Sequence, residues 1–578
     1  EDPNLQNDDG TRQRGREVQP VATLSQLDPA VGSGHFLLYA FDLFAQMYEA
    51  EARRAGERVD RLTIARRILR ENLHGIDIDE RAIQIAALNL YMKACTYAGV
   101  RLAGLRNGEP LQMNLVCANI VLRKGPELDD LLARFKNDPW TQELIETLWE
   151  GLQNARELGS LLKIDEQIDA LIARKREAEK GTFWEHPEDL WDQWKRDFLK
   201  TLKTYVDRAA ESFDVNRRMF GQEAIKGVQL LDLLTQRYDV VTTNPPYMGD
   251  LQMGQVLKDF TSEFYSTSAS DLYAAFIERC LQLTAPDQYT SMITQQAFMF
   301  NVDSKELRAD IVQEKQIRCL AHLGTHAFEE ISGAKVNTAM FSFRTISPNN
   351  NVSVFLRLLD AQTSEEKEKV LYELARNHEG QEWFKVRQSD FQSIAGMPIV
   401  YWITPAMLAA FKNLGRVTQL IDPKAGLSTG DNPRFIRYWW ELSLSDRNTD
   451  RWAPCMNGGQ YTRWYRSPPF VIDWKNDGER IKNFRREDGS QRSAVRNEDF
   501  YFKEGLIFLK NGTVAFSPWY TSGDCVFLDT NRFIQVKKVG VYYALGFLNS
   551  VFVDHALNLL DPTGGFSHTN IERIPYKL

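Results

Sequence analysis

The hydrophobic positions along this chain change period several times, and each change marks a different kind of element. Residues 1–20 are polar and charged without any apolar period, which predicts a disordered lead-in. Residues 23–28 form a short apolar run that predicts a strand, followed by a turn holding Gly32 and Gly34 and by a helical period over 36–54. A helix over 62–71, a strand over 73–79, an amphipathic helix over 81–94 and a third strand over 115–120 continue the alternation. Strands alternating with helices predict an α/β layer with a parallel sheet. The alternation then stops. Leu144, Ile145, Leu148 and Leu152, then Leu158 to Ile172, then Trp191, Trp194, Phe198, Leu202 and Tyr205 recur at helical spacing among dense Glu, Lys and Arg. Residues 121–234 therefore read as a helical insertion, either a wall for a large ligand, a dock for a partner, or simply a solvated face. The run 238–243 restores a buried strand, 270–276 opens a helix, 289–294 is a further strand, and 336–343 alternates as a half-buried one.

A chain of 578 residues is too long for one ordinary core. The pattern divides it into a core over 21–120 and 235–345, the insertion over 121–234, a connecting region over 346–410 and a separate region over 411–578. With 43% hydrophobic and 26% charged residues, the composition is that of a globular protein. A formal net charge of -8 excludes a polycation, so any nucleic-acid surface must be a local cluster of Lys and Arg. The six cysteines lie far apart without a Cys-x-x-Cys pair, which predicts a reduced, cytoplasmic protein without structural zinc. No apolar stretch reaches bilayer length, so no membrane is expected as a partner.

The chemistry concentrates where the strand over 238–243 meets Asn244-Pro245-Pro246-Tyr247. A buried strand stopped by two prolines presents its last side chain and carbonyls at the C-terminal edge of a sheet, where open α/β sheets bind ligands. There, the Asn244 side-chain oxygen and the Pro245 carbonyl can accept both N–H bonds of a planar exocyclic amine, while Tyr247 stacks on its ring. The same four residues are also compatible with a proline-rich turn that merely ends a strand. Gly32 and Gly34 permit a tight turn and close approach of a ligand to a helix N-terminus, although an ordinary strand-to-helix turn uses such glycines too. Asp28 ends the first strand, where it can bind the amino or carboxyl end of a cofactor. Asp77 ends the second, where a doubly wound sheet hydrogen-bonds ribose hydroxyls, and Asp79 is placed to cap the next helix. Asn119 either reaches an adenine ring or forms a turn.

Three segments together, Asp28-Pro29-Ala30-Val31-Gly32-Ser33-Gly34-His35-Phe36-Leu37, Gly75-Ile76-Asp77-Ile78-Asp79 and Asn244-Pro245-Pro246-Tyr247, resemble motifs one, two and four of the adenine-N6 DNA methyltransferases that use S-adenosylmethionine. Their order resembles the gamma class. Val31 departs from the cysteine usual in the first motif. The resemblance implies a Rossmann-like, S-adenosylmethionine-dependent methyltransferase domain with the helical insertion. It implies a cofactor site made by Asp28, Pro29, Ala30, Gly32, Gly34, Asp77, Ile78 and Asn119, and catalysis by Asn244, Pro245, Pro246 and Tyr247. The segments 270–276, 289–294 and 336–343 resemble motifs five, six and eight, the last two forming the antiparallel end of the sheet. An aromatic ahead of the eighth motif packs on the flipped base in that family; Phe328 is the nearest match, and a core phenylalanine is the competing reading.

Beyond 411, the segments 426–435, 457–465 and 496–505 interleave aromatics with Arg, Lys, Asn and glycine turns. Such a surface can stack on bases, reach phosphates and read base edges, although a β-rich interaction domain of another kind also exposes aromatics. The candidate DNA-binding residues are Asn432, Arg434, Tyr461, Arg463, Trp464, Arg496 and Lys503. These segments resemble the target-recognition region of the PglX methyltransferases of BREX phage-defence systems and of related large restriction-modification enzymes. The resemblance implies an α+β target-recognition domain, double-stranded DNA as substrate and other phage-defence subunits as partners. Members usually extend further at both ends, including an N-terminal helical region that closes over the cofactor, so a fragment, a compact relative or one subunit of a split system is expected. The expected function is site-specific adenine-N6 methylation of DNA in antiviral defence. The alternatives are a DNA-recognition scaffold of a defence complex and a methyltransferase acting on a protein glutamine, since those enzymes also carry the tetrapeptide.

Overall fold

The computed structural model describes residues 19–577 except 102–103, 106–110, 122–125, 137, 181–187, 213, 329–335, 349–351, 448, 511–514 and 562–565. It divides into two compact units, Glu1–Phe298 with Glu306–Gln388, and Met299–Lys305 with Ser389–Leu578. Most of the expected lead-in, 1–18, lies outside the described residues, as do the side chains of Trp191 and Trp194.

The first unit is built on a mixed sheet of β1 (Gln26–Asp28), β2 (Leu73–Asp77), β3 (Asn114–Cys117), β4 (Tyr238–Thr243), β5 (Thr284–Gln295), β6 (Gln316–Gly324), β7 (Thr338–Arg344), β8 (Val352–Arg357) and β9 (Trp383–Arg387). Their order is β3-β2-β1-β4-β5-β7-β6-β8-β9. β1 lies parallel between β2 and β4, and β7 runs antiparallel to both β5 and β6. From β1 the chain winds to β2 and β3 on one side, then returns to β4 on the other. The order thus reverses beside β1, and the C-terminal ends of β1, β2 and β4 open a crevice there.

Local chemistry explains the elements around that crevice. The helix His35–Ala55 begins at Gly34, whose φ of 85° is left-handed, and stops at Gly56 with φ 70°. Its Leu37, Phe41, Phe44 and Tyr48 recur at helical spacing and are buried with Ile68, Leu69, Leu73 and Leu90. The helix Glu80–Ala98 is capped by Asp79, which accepts the Arg81 N–H at 2.9 Å. The insertion is helical as expected, over Pro139–Leu152, Ile164–Glu179, Glu188–Ala210 and Val215–Thr235. Leu144, Ile145, Leu148, Leu152 and Ile168 form its buried face.

Several boundaries differ from the sequence expectation. The first strand is shorter, because 21–23 form a 3-10 turn and pairing starts only at Gln26. β3 ends at Cys117, which leaves Asn119 beyond the strand. β6 was not expected, since Arg318, Cys319 and His322 break its apolar run. The region 346–410 is not a bare connection: β8 and β9, with the helix Ser364–Asn377 between them, extend the sheet, and from Ser389 onward the chain belongs to the second unit.

The second unit mixes short strands with helices. Its strands are β10 (Gly415–Arg416), β11 (Ile421–Lys424), β12 (Ile436–Tyr438), β13 (Trp452–Met456), β14 (Trp464–Tyr465), β15 (Phe470–Asp473), β16 (Gly505–Leu509), β17 (Trp519–Thr521), β18 (Val526–Phe527), β19 (Asn531–Val536) and β20 (Pro575–Tyr576). They form the sheets β11-β19-β16-β17-β14 and β12-β15-β13-β18 and the pair β10-β20. Leu427, Phe435, Cys455, Ile472, Trp519, Phe527 and Phe533 belong to one core. Among the described residues, no helix is long and apolar enough to cross a membrane.

Candidate active site

The end of β1 and the turn after it form one wall of the crevice. Asp28 is buried and its Oδ1 accepts the Ala30 N–H at 3.1 Å. Burial pushes the Asp28 carboxyl up to about 7, against the opposing pull of the Thr243 hydroxyl and the Ala30 N–H. The turn is tied to the neighbouring strand through Asp77, whose Oδ2 accepts the Gly32 N–H at 2.8 Å and whose Oδ1 accepts the Asp79 N–H at 2.9 Å. Each of those oxygens keeps capacity for a second donor. Gly34 is required twice over: its backbone is left-handed, and a Cβ there would stand 3.1 Å from the Ala86 Cβ. Val31 is buried and donates its N–H to the Ile76 carbonyl at 3.0 Å, so the departure from cysteine leaves the turn closed.

The opposite wall is the tetrapeptide. β4 delivers Asn244 exposed, Pro245 buried, Pro246 exposed and Tyr247 half-buried. The Tyr247 hydroxyl donates to Asn244 Oδ1 at 3.1 Å, with the Ile293 carbonyl oxygen 3.5 Å away, and burial raises the phenol above its ordinary range. Its ring stands edge-on to Tyr273, with centroids 6.3 Å apart. The loop that follows is pinned to the next helix, Leu272–Leu283: Asp271 Oδ1 accepts the Met248 N–H at 3.2 Å, and the Leu272 N–H donates to the Met248 carbonyl at 2.9 Å.

Between the walls lies a cavity of about 500 Å³, a size suited to a cofactor or small ligand. Pro29, Ala30, Asp77, Ile78 and Asn244 to Tyr247 line it, so the fold brings the glycine-turn segment, the acid at the end of β2 and the tetrapeptide onto one space. Asp28, Gly32, Gly34 and Asn119 are not among its lining residues: Asp28 lies buried behind the turn and the glycines shape it. Phe328 is half-buried and does not line the cavity either.

One wall was not anticipated. Residues 157–161 of the insertion line the same cavity. Gly159 sits there with φ 53° and ψ -127°, and a Cβ on it would come within 2.7 Å of the Ile78 side chain. The Ser160 hydroxyl donates to the Pro29 carbonyl at 2.7 Å. The available sequence signal was the Gly-Ser pair interrupting two helical periods.

In the second unit, Asn432, Arg434, Tyr461, Trp464, Arg496 and Lys503 are exposed and Arg463 is half-buried. Asn432 Oδ1 accepts the Thr429 hydroxyl at 2.5 Å, in a turn that Asp431 caps. Arg434 lies over the Phe484 ring at 4.9 Å, Arg463 over Tyr461 at 5.6 Å and Lys503 over Phe500 at 5.8 Å. Arg496 is 3.8 Å from Asp529. A cluster overlooked in the sequence lies between the expected segments: Tyr438 stacks on Trp440 with centroids 4.4 Å apart, and Trp439 meets Trp440 edge-on, all three exposed.

Comparison with known proteins finds methyltransferase relatives. Residues 71–328 match the family described as the Eco57I restriction-modification methylase, and residues 9–104 match the DNA-methyltransferase domain of MmeI. Over 99% of its length the chain is 29% identical to the adenine-specific methyltransferase PglX of Lacticaseibacillus casei (strain Zhang), covering 46% of that protein. It is 27% identical to the adenine-specific methyltransferase BrxX of Escherichia coli O9:H4 (strain HS), covering 96% of this chain and 44% of that one. Among solved structures, a nuclease-deletion mutant of the Type ISP restriction-modification enzyme LlaGI in complex with a DNA substrate mimic shares the fold, with a TM-score of 0.51 and 12% identity over 96% of this chain and 42% of that one. The chain is therefore similar, along nearly its whole length, to adenine-specific methyltransferases, and it spans about half the length of the curated relatives it matches.

Proposed function

We propose that this chain carries the catalytic part of a site-specific DNA adenine-N6 methyltransferase of a phage-defence system, either BREX-like or of the restriction-modification kind. The observation that supports the reading best is that Asn244 and Tyr247 share one cavity with Pro29, Ala30 and Asp77. The residues suit S-adenosylmethionine: the cavity is large enough, Asp77 has acceptor capacity for ribose hydroxyls, Ile78 offers an apolar face, and Asp28 stands behind the turn to compensate a positive amino end. When bound, that group supplies an electrophilic methyl carbon. The core is then Rossmann-like in the functional sense, with the donor at the point where strand order reverses.

The protein's own residues do the rest. Asn244 Oδ1 and the Pro245 carbonyl accept the two N–H bonds of adenine N6 and localise its lone pair towards the methyl carbon. Tyr247 holds the Asn244 amide by its hydroxyl, which leaves the second lone pair of Oδ1 for the substrate. With the donor bound, the lone pair held in this way would take up the methyl group, the thioether would leave, and the proton lost from N6 would pass to solvent. The adenine enters flipped out of the duplex at a cost of a few kcal/mol, with Tyr247, which lines the cavity, as its candidate stacking partner. Residues 411–578 act as the target-recognition domain, in which Asn432, Arg434, Tyr461, Arg463, Trp464, Arg496 and Lys503 contact the duplex in a cytoplasmic setting.

The test is incubation of the purified protein with methyl-labelled S-adenosylmethionine and, separately, duplex DNA and a glutamine-containing peptide. Label in N6-methyladenine after digestion of the DNA is expected. Label in the peptide alone, or none with DNA of any sequence, overturns the proposal.

A further inference from the structure

The insertion meets the cavity through a strap, residues 157–162, whose carbonyls are held from the far side by the segment that follows the tetrapeptide. Arg279, fully buried on the helix Leu272–Leu283, donates Nε to the Ser160 carbonyl at 3.0 Å and Nη2 to the Leu162 carbonyl at 2.7 Å. The Tyr265 hydroxyl donates to the carbonyl between them, Leu161, at 2.6 Å. The same guanidinium grips Asp165 with Nη2 to Oδ1 at 2.8 Å and Nη1 to Oδ2 at 3.2 Å, and Arg237 adds a contact to Oδ2 at 3.1 Å. Burial pushes Asp165 up, but the two arginines outweigh it and hold the carboxyl below its ordinary range. Three consecutive carbonyls of a six-residue turn are thereby fixed by buried side chains, and a planar guanidinium is the side chain able to do this while also pairing with a carboxylate.

On its cavity side the strap contacts the donor half. Gly159 packs against Ile78 and Ser160 binds the Pro29 carbonyl, both residues of the turns after β1 and β2 and neither part of the tetrapeptide. We propose that this strap is a wall of the methyl-donor site, and that Arg279 is a positioning residue that sets donor affinity without touching donor or DNA. This rests on the reading of the cavity as an S-adenosylmethionine site. It gives the helical insertion a role: the insertion carries Asp165, the anchor that pairs with Arg279.

The test uses the full chain and three variants, Ser160→Ala, Gly159→Ala and Arg279→Met, with donor binding measured by calorimetry and methylation measured at saturating and limiting donor. Loss of one neutral hydrogen bond in Ser160→Ala is expected to weaken donor binding about fivefold. Gly159→Ala, strained at its φ and crowding Ile78, and Arg279→Met, with the strap released, are each expected to weaken it at least tenfold. In all three, kcat at saturating donor stays within about twofold of wild type and duplex affinity is unchanged. A purely structural role would instead lower kcat, donor affinity and thermal stability together. If Arg279→Met does not fold, the two cavity-side variants decide. Unchanged donor affinity in the folded variants, or a loss confined to kcat or DNA binding, overturns the strap's role. A wild-type protein that binds no donor overturns the donor-site reading beneath it.

Discussion

Replacing Asp28 by Asn removes a charge and little else, because the side chains share a shape and both can accept the Ala30 N–H. In the wild-type chain, burial raises this carboxyl from 3.8 to about 7, so between those values the folded state holds a proton that the unfolded chain has released. Stability from this group is therefore fully present below 3.8 and is lost as pH rises through about 7. At about 1.4 kcal/mol per pH unit the total loss approaches roughly 4 kcal/mol, more than half of it between pH 5 and 7. Asp28→Asn does not titrate, so its advantage over wild type should grow by that amount across the same window. Amide exchange in β1 and β4, followed by mass spectrometry at a series of pH values, reports on this unit by itself. The donor adds a second readout. If its positive amino end meets ionised Asp28, wild-type donor affinity should climb with pH by up to tenfold per unit below about 7, while that of Asp28→Asn stays flat. Parallel pH profiles of exchange protection in the two proteins would show that Asp28 is not protonated in the folded state, and the argument would fail.

Asn244→Ala should lower methylation about 10²- to 10³-fold at saturating substrates while leaving duplex affinity intact; single-turnover kinetics with a parallel binding titration checks both. Tyr247→Phe keeps the ring and loses the hydroxyl that holds Asn244, so kcat should fall about fivefold with little change in KM, measured by the same assay. Asp79→Ala removes the cap of the helix Glu80–Ala98 and should cost about 1 kcal/mol of stability, seen as a lower denaturation midpoint with unchanged slope. Lys503→Gln should weaken DNA binding equally for every sequence and reduce the slope of log affinity against log salt by about one, measured by fluorescence anisotropy from 50 to 200 mM salt.

Much of the core was legible because its signals are local. The run Tyr238–Thr243 stops at two prolines, and the structure makes it β4 with Asn244 at the sheet edge. Asp79 was read as a cap and caps. The glycine turn, Asp77 and the tetrapeptide were separated by as much as 212 residues of chain, from Gly32 to Asn244, yet each ends a strand, and a reversal of strand order is enough to bring strand ends together. The strap was not legible for the opposite reason. Its Gly159 and Ser160 matter through Ile78 and Pro29, more than 80 residues away, and nothing local marks such a contact. β8 and β9 were missed because each is short and their helix, Ser364–Asn377, reads as a linker's charged run. The aromatics 438–440 fell between segments singled out for their glycine turns.

The path of the chain between its two units limits how the second unit can be exchanged between related chains. Met299–Lys305 belongs to the second unit although both flanks belong to the first. Within the second unit its Phe300 ring meets Trp402 edge-on, with centroids 5.7 Å apart, and the Ile399 N–H donates to the Met299 carbonyl at 3.0 Å. A chimaera joined at a single junction near residue 389 would keep the host's seven-residue excursion and set it against a foreign partner surface. Two further crossovers, one on either side of that excursion, must be added to the junction at 389 before the transplanted unit carries all of its own core.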